Sequence, residues 1–142
     1  MLNRLASSLL VASLTLMICG CGGGADDAPA VAPVKGKVLR KGEPLPFASI
    51  TFEPVEAEDG KRSPSSAMTN EQGEYELTFN RDLMGATLGK HTVRIVKDGA
   101  TDENGAPNPD AVVVPVKYNT KSELEADVPA AGLTDKNFDL DF

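Results

Sequence analysis

Few side chains in this 142-residue chain have a type and spacing suited to chemistry. Cys19 and Cys21 stand one residue apart in LMICGCGGG, and His91 is the one histidine. A metal or redox C-x-C needs further ligands, and no other cysteine or histidine lies near the pair. Ser63, Ser65 and Ser66 cluster in a loop-like stretch without a G-x-S-x-G elbow or a histidine in range. His91 opens an alternating apolar stretch, where the expectation is a surface or strand-end histidine rather than a base without partners. Glu123, Glu125 and Asp127 recur at period two, the spacing of a strand's wet face and of a guard against edge aggregation. These residues do not assemble into a catalytic set. The expectation is a non-enzyme that needs no cofactor.

Two binding chemistries stay open. The segment DGATDENGAPNPD offers oxygen ligands at Asp98, Asp102, Glu103, Asn104 and Asp110. Asp102-x-Asn104-Gly105 echoes part of an EF-hand loop, but Ala100 and Ala111 occupy its first and twelfth positions, so that match fails. A calcium site of another kind, drawn from Asp98, Asp102, Asn104 and Asp110, remains an alternative. The other chemistry is sugar stacking on an exposed aromatic. The chain has no tryptophan, and Tyr118 and Phe47 are the aromatics outside the inferred core faces.

The elements that would position these groups begin with a leader. Residues 1–4 carry Arg4 and no acid, and Leu5 to Cys19 has no charge, proline or glycine. The run falls short of the roughly 20 apolar residues of a spanning helix and has the layout of an export signal. ICGC, ending at Cys21, resembles the lipobox of bacterial lipoproteins. The resemblance implies cleavage before Cys21, diacylglyceryl transfer to its thiol and acylation, for instance by palmitate, of the new amino terminus. Two or more acyl chains anchor firmly where one does not. Gly22 in place of Asp points, by analogy with Gram-negative sorting, to the outer membrane. The expectation is an extracytoplasmic, membrane-anchored lipoprotein with a signal peptide over 1–20 and a lipidated Cys21 with a flexible tether over 21–32.

Removing residues 1–20 keeps all 21 acids and drops one of 14 bases, moving the formal charge from −7 to −8. Such an acidic surface argues against nucleic acid, and the basic cluster Lys35, Lys37, Arg40 and Lys41 is small and offset by Glu43. With Cys21 acylated, no internal disulfide can form and packing must supply the stability.

From Pro33 onward the apolar period is two. FASITFEP sets Ala48, Ile50 and Phe52 on one face, EYELTF sets Tyr75, Leu77 and Phe79, SELEADV sets Leu124, Ala126 and Val128, and KNFDLDF sets Phe138, Leu140 and Phe142. VKGKVLR and HTVRIVK read as further strands. RKGEPLP and TNEQGEY carry turn chemistry at Gly42, Pro44, Asn70 and Gly73. Pro115 in VVVPV restricts that segment to an edge strand or none. About seven short strands without a useful amphipathic helix read as an all-β sandwich over 33–142.

VKGKVLRKGEPLPFASITFEP, AMTNEQGEYELTF, LGKHTVRIVK, VPVKYNTKSELEADV and KNFDLDF together resemble the carboxypeptidase regulatory-like domains. The resemblance implies a seven-stranded, Ig-like or transthyretin-like (prealbumin-like) sandwich, and with the lipobox it is similar to small lipoproteins of planctomycete-type bacteria. It implies a fold and an address, not a reaction. Hydroxyisourate hydrolases of related fold rely on several histidines and a C-terminal Tyr-Arg-Gly-Ser, whereas this chain ends DLDF. The expected role is a structural or protein-interaction module of the cell envelope. Its expected contact surfaces are the acidic loop 98–111 and an open sheet edge near Val112 to Val116. Partners would be the membrane through the lipid and an envelope protein or glycan, with carbohydrate binding as the alternative function.

Overall fold

The computed structural model describes residues 29–56, 63–99, 101, 104–106 and 111–142. The leader, Cys21 and most of the tether lie outside these residues, as do Asp102, Glu103 and Asp110. Ten strand segments occur among the described residues: β1 (Val31–Ala32), β2 (Lys35–Arg40), β3 (Glu43–Pro44), β4 (Ser49–Pro54), β5 (Ser65–Met68), β6 (Glu74–Glu76), β7 (Ala86–Thr87), β8 (Gly89–Val96), β9 (Leu124–Val128) and β10 (Phe138–Leu140). One short 3-10 helix, Val116–Tyr118, is the helical element among the described residues. The chain is therefore nearly all β, arranged in several sheets. The ten segments differ from the expected seven strands. Three of them, β1, β3 and β7, are two residues long, too short for alternation to reveal.

One sheet runs β5-β4-β8-β9, antiparallel throughout. In the other, β2 pairs in parallel with β10 and antiparallel with β3 and β6. A small third ladder joins β1 to β7, so the first strand among the described residues starts at Val31, two residues before the expected start of the domain. Between the sheets, Ala48 just before β4, Ile50 and Phe52 of β4 and Val93 and Ile95 of β8 meet Tyr75, Leu77, Phe138 and Leu140, all buried. Phe52 links the two layers: its ring centroid lies 6.5 Å from Tyr75 and 6.2 Å from Phe138. Each such large apolar side chain contributes roughly 1.5–3 kcal/mol when withdrawn from water.

Tight backbone contacts set the strand ends. The Asn70 side-chain oxygen accepts from Gln72 N at 3.0 Å and Glu74 N at 2.9 Å, and Gly73 follows at φ +72°. A side chain at Gly73 would also meet Val38 O at 2.6 Å, so both conformation and space require glycine. Buried Thr69 ties the β5 end to β4: its hydroxyl accepts from Ala48 N at 2.8 Å and donates to Leu45 O at 2.7 Å.

Two expectations need correction. Phe79 does not share the inward face of Tyr75 and Leu77. The strand ends at Glu76, and the Phe79 amide donates to Leu83 O across a turn, leaving its side chain half-buried. Val112 to Val116 form no strand, so the expected open edge is absent there. The segment is irregular before the 3-10 helix, and Pro115, which has no amide hydrogen to give to a ladder, caps that helix.

Candidate interaction surface

His91 is the clearest departure from expectation. It is buried within β8, not at a surface or strand end, because it shares the inward face with Val93 and Ile95. Its Nδ1 lies 2.9 Å from Gly89 O, a carbonyl that can only accept, so Nδ1 carries the hydrogen. Nε2 then accepts from the Thr87 hydroxyl at 3.1 Å, and the ring packs 5.8 Å from Phe52. Burial pushes the imidazole below its ordinary pKa, and the Gly89 carbonyl and the charge of Asp127 oppose this only in part. A neutral histidine bonded through both nitrogens is a structural clip.

The serines are no better placed for catalysis. Ser63 and Ser66 are exposed, while Ser65 is buried opposite Phe52 in register, and its hydroxyl has no partner among the described residues. Among the described residues no base is hydrogen-bonded to that hydroxyl, and Nε2 of His91 is engaged by Thr87.

Tyr118 packs rather than presents. Its ring centroid is 6.1 Å from Phe142, and its hydroxyl accepts from Asp141 N at 3.1 Å. Lys117 Nζ lies 4.7 Å from the Tyr118 ring centroid, and the Arg40 guanidinium 4.9 Å from that of Phe142. The contact with Tyr118 raises the Lys117 pKa, and the four residues bind the 116–123 segment to the end of β10. Phe47 is the more exposed aromatic, 56% accessible at φ +53°, with Lys97 Nζ 5.8 Å from its ring centroid. Its conformation is held by Phe47 N donating to Thr69 O at 3.0 Å.

Of the oxygen ligands considered for calcium, Asp98 and Asn104 are exposed, and Asp102 and Asp110 lie outside the described residues. No group of three or more metal-binding side chains occurs among the described residues. Likewise, no helix among them is long and apolar enough to cross a membrane.

The remaining surface is organised by charge. Lys35 pairs with Glu76 at 2.9 Å and Lys37 with Glu74 at 3.1 Å across β2 and β6. The Asn70 amide and Lys37 hold the Glu74 carboxyl below its usual range. On the outer face of the four-stranded sheet, Arg94 pairs with Glu53 at 2.8 Å and donates from Nη1 to Asn119 O at 2.6 Å. Glu123, Glu125 and Asp127 are different: all are exposed, and none forms an ion pair among the described residues. Sequence alternation identified these acids as a wet face, but not that β9 ends its sheet.

Compared with protein-family models, curated proteins and solved structures, the chain matches none.

Proposed function

We propose that this is a lipid-anchored, extracytoplasmic β-sandwich of the cell envelope, acting without catalysis as a protein-interaction module. The acylated residue is Cys21, the membrane is the outer membrane, and the domain is of the carboxypeptidase regulatory-like, transthyretin-like type. Support for the address comes from the leader and ICGC; support for the fold type comes from the order of the strand and turn motifs. The observation that carries the interaction role is the contrast between the inside and the rim. His91, Thr69 and Tyr118 spend their polar atoms on holding the fold, whereas Glu123 just before β9 and Glu125 and Asp127 within it form no ion pair among the described residues at the end of a sheet.

Cross-linking the tagged full-length protein in cells, followed by mass spectrometry of membrane-fraction adducts, tests this reading. A reproducible protein adduct supports it, and enriched envelope polysaccharide without a protein adduct refutes it. One observation favours the second reading, a carbohydrate-binding module: Phe47 offers an exposed ring on a fixed backbone. Loss of polysaccharide binding in Phe47→Ala would be its signature.

A further inference from the structure

We infer that the outer edge of β9 is a docking strand for an extended, alternately basic segment of another protein. The inference rests on the interaction-module reading above and names its partner.

The first observation is an uneven pair of sheet edges. β5 and β9 end the β5-β4-β8-β9 sheet. The β5 edge is closed, because Ser66 N donates to Thr78 O at 3.0 Å and Ser66 O accepts from Thr78 N at 2.9 Å. Among the described residues β9 takes its ladder from β8 alone. Among the described residues its other main-chain groups have no partner, except that Leu124 N donates to Ser122 Oγ at 3.2 Å. Such a row of main-chain donors and acceptors is a template for an added strand.

The second observation is charge left over along that edge. The acids Glu74, Glu76 and Glu53 each have a cation within 3.1 Å, but among the described residues Glu123, Glu125 and Asp127 have none. Even Lys90, opposite Asp127 in register, forms no ion pair with it. The spacing selects the occupant. A strand laid beside β9 places every second side chain on the outer face, next to these carboxylates, where lysine or arginine would meet them and acids would be repelled. Its intervening side chains would fall beside half-buried Leu124 and buried Ala126, so they would be apolar.

A second copy does not fit. Pairing β9 with its own equivalent would set carboxylates against carboxylates across the junction, which disfavours it. The same acids that block self-assembly therefore admit a basic strand, and the edge discriminates rather than merely repels.

The test uses the full chain in detergent and a synthetic peptide alternating lysine with valine. Controls are a peptide of equal composition with its lysines in one block and an alternating glutamate–valine peptide. The alternating lysine peptide should slow amide exchange at residues 125–127 and bind about tenfold more tightly than the block peptide. Charge reversal by Glu125→Lys with Asp127→Lys should transfer that preference to the glutamate peptide. Glu125→Gln, which is milder at an exposed position, should weaken lysine-peptide binding several-fold if the double variant does not fold. Equal binding of block and alternating peptides, or unchanged exchange in β9, would overturn the inference. If β9 fails while cellular cross-linking still yields a protein partner, only the docking edge is wrong; if both fail, the interaction-module reading falls too.

Discussion

The Nε2 atom of His91 lies 3.1 Å from the Thr87 hydroxyl, which joins the last residue of β7 to the inward face of β8. The pair makes the one histidine of the chain a reporter of pH. Burial lowers its folded-state pKa below the ordinary 6.5, so the unfolded chain takes up a proton that the folded chain resists. The stabilising contribution is complete above about pH 6.5 and is lost as pH falls through the lowered folded value. Urea midpoints should hold steady from about pH 8 to 7 and decline from about 6.5 toward 5. His91→Phe should remove that decline. A flat wild-type profile across the window would show that the imidazole is not desolvated.

Thr69 supplies a second test of a buried polar contact. Thr69→Val keeps the shape but removes the group that receives the Ala48 amide and reaches the Leu45 carbonyl. The loss should cost about 1–3 kcal/mol, because both backbone groups are left without a partner at a buried site. Equilibrium urea unfolding measures it directly, and a change within about 0.5 kcal/mol would contradict the clamp.

Gly36 and Gly42 should respond to alanine for different reasons. A Cβ on Gly36 would come 1.9 Å from Lys136 O, which the Tyr75 hydroxyl already holds at 2.6 Å. Gly36→Ala must displace the chain entering β10 and should cost about 1–3 kcal/mol or more. At Gly42 no atom lies within 4 Å of a new Cβ, but φ is +82°, so Gly42→Ala should cost only about 1–2 kcal/mol of backbone strain. Thermal melts of the two variants should rank them in that order.

Tyr118 separates packing from sugar recognition. Tyr118→Phe keeps the ring on Phe142 and loses the bond from Asp141 N, for roughly 1 kcal/mol. Tyr118→Ala also loses the ring contact, so its destabilisation should be larger by about 0.5–1.5 kcal/mol. Neither variant should change retention on envelope polysaccharide. A polysaccharide affinity that disappears with Tyr118→Ala while the melting temperature holds would instead make Tyr118 a ligand-binding residue.

How much of this was legible in the sequence depends on the range of the signal. Period-two alternation located Ile50 and Phe52, Ala126 and Val128, and Phe138 and Leu140 on buried faces, because alternation follows from strand geometry alone. The turn at Asn70 was equally local, since its side chain bonds only residues two and four positions on. The burial of His91 was also encoded, as it stands in phase with Val93 and Ile95. Histidine's polarity concealed it, and the Thr87 and Gly89 partners that make burial tolerable became apparent only in the fold. VVVPV was ambiguous: its apolar residues suit an edge strand and Pro115 allows none, and no strand forms, with Val114 buried and Val112 half-buried against the core. That β9 ends a sheet while β5 is closed by Thr78 depends on pairings between distant segments, which no local pattern records.

Site-specific photo-cross-linking in living cells tests the central claim most directly. A photoreactive residue would replace Glu125 on the open β9 edge, and a second variant would carry it at Glu74, an exposed position already paired with Lys37. The account predicts a reproducible protein adduct from position 125 and little from position 74. Equal labelling from both positions, or adducts to polysaccharide alone, would contradict it.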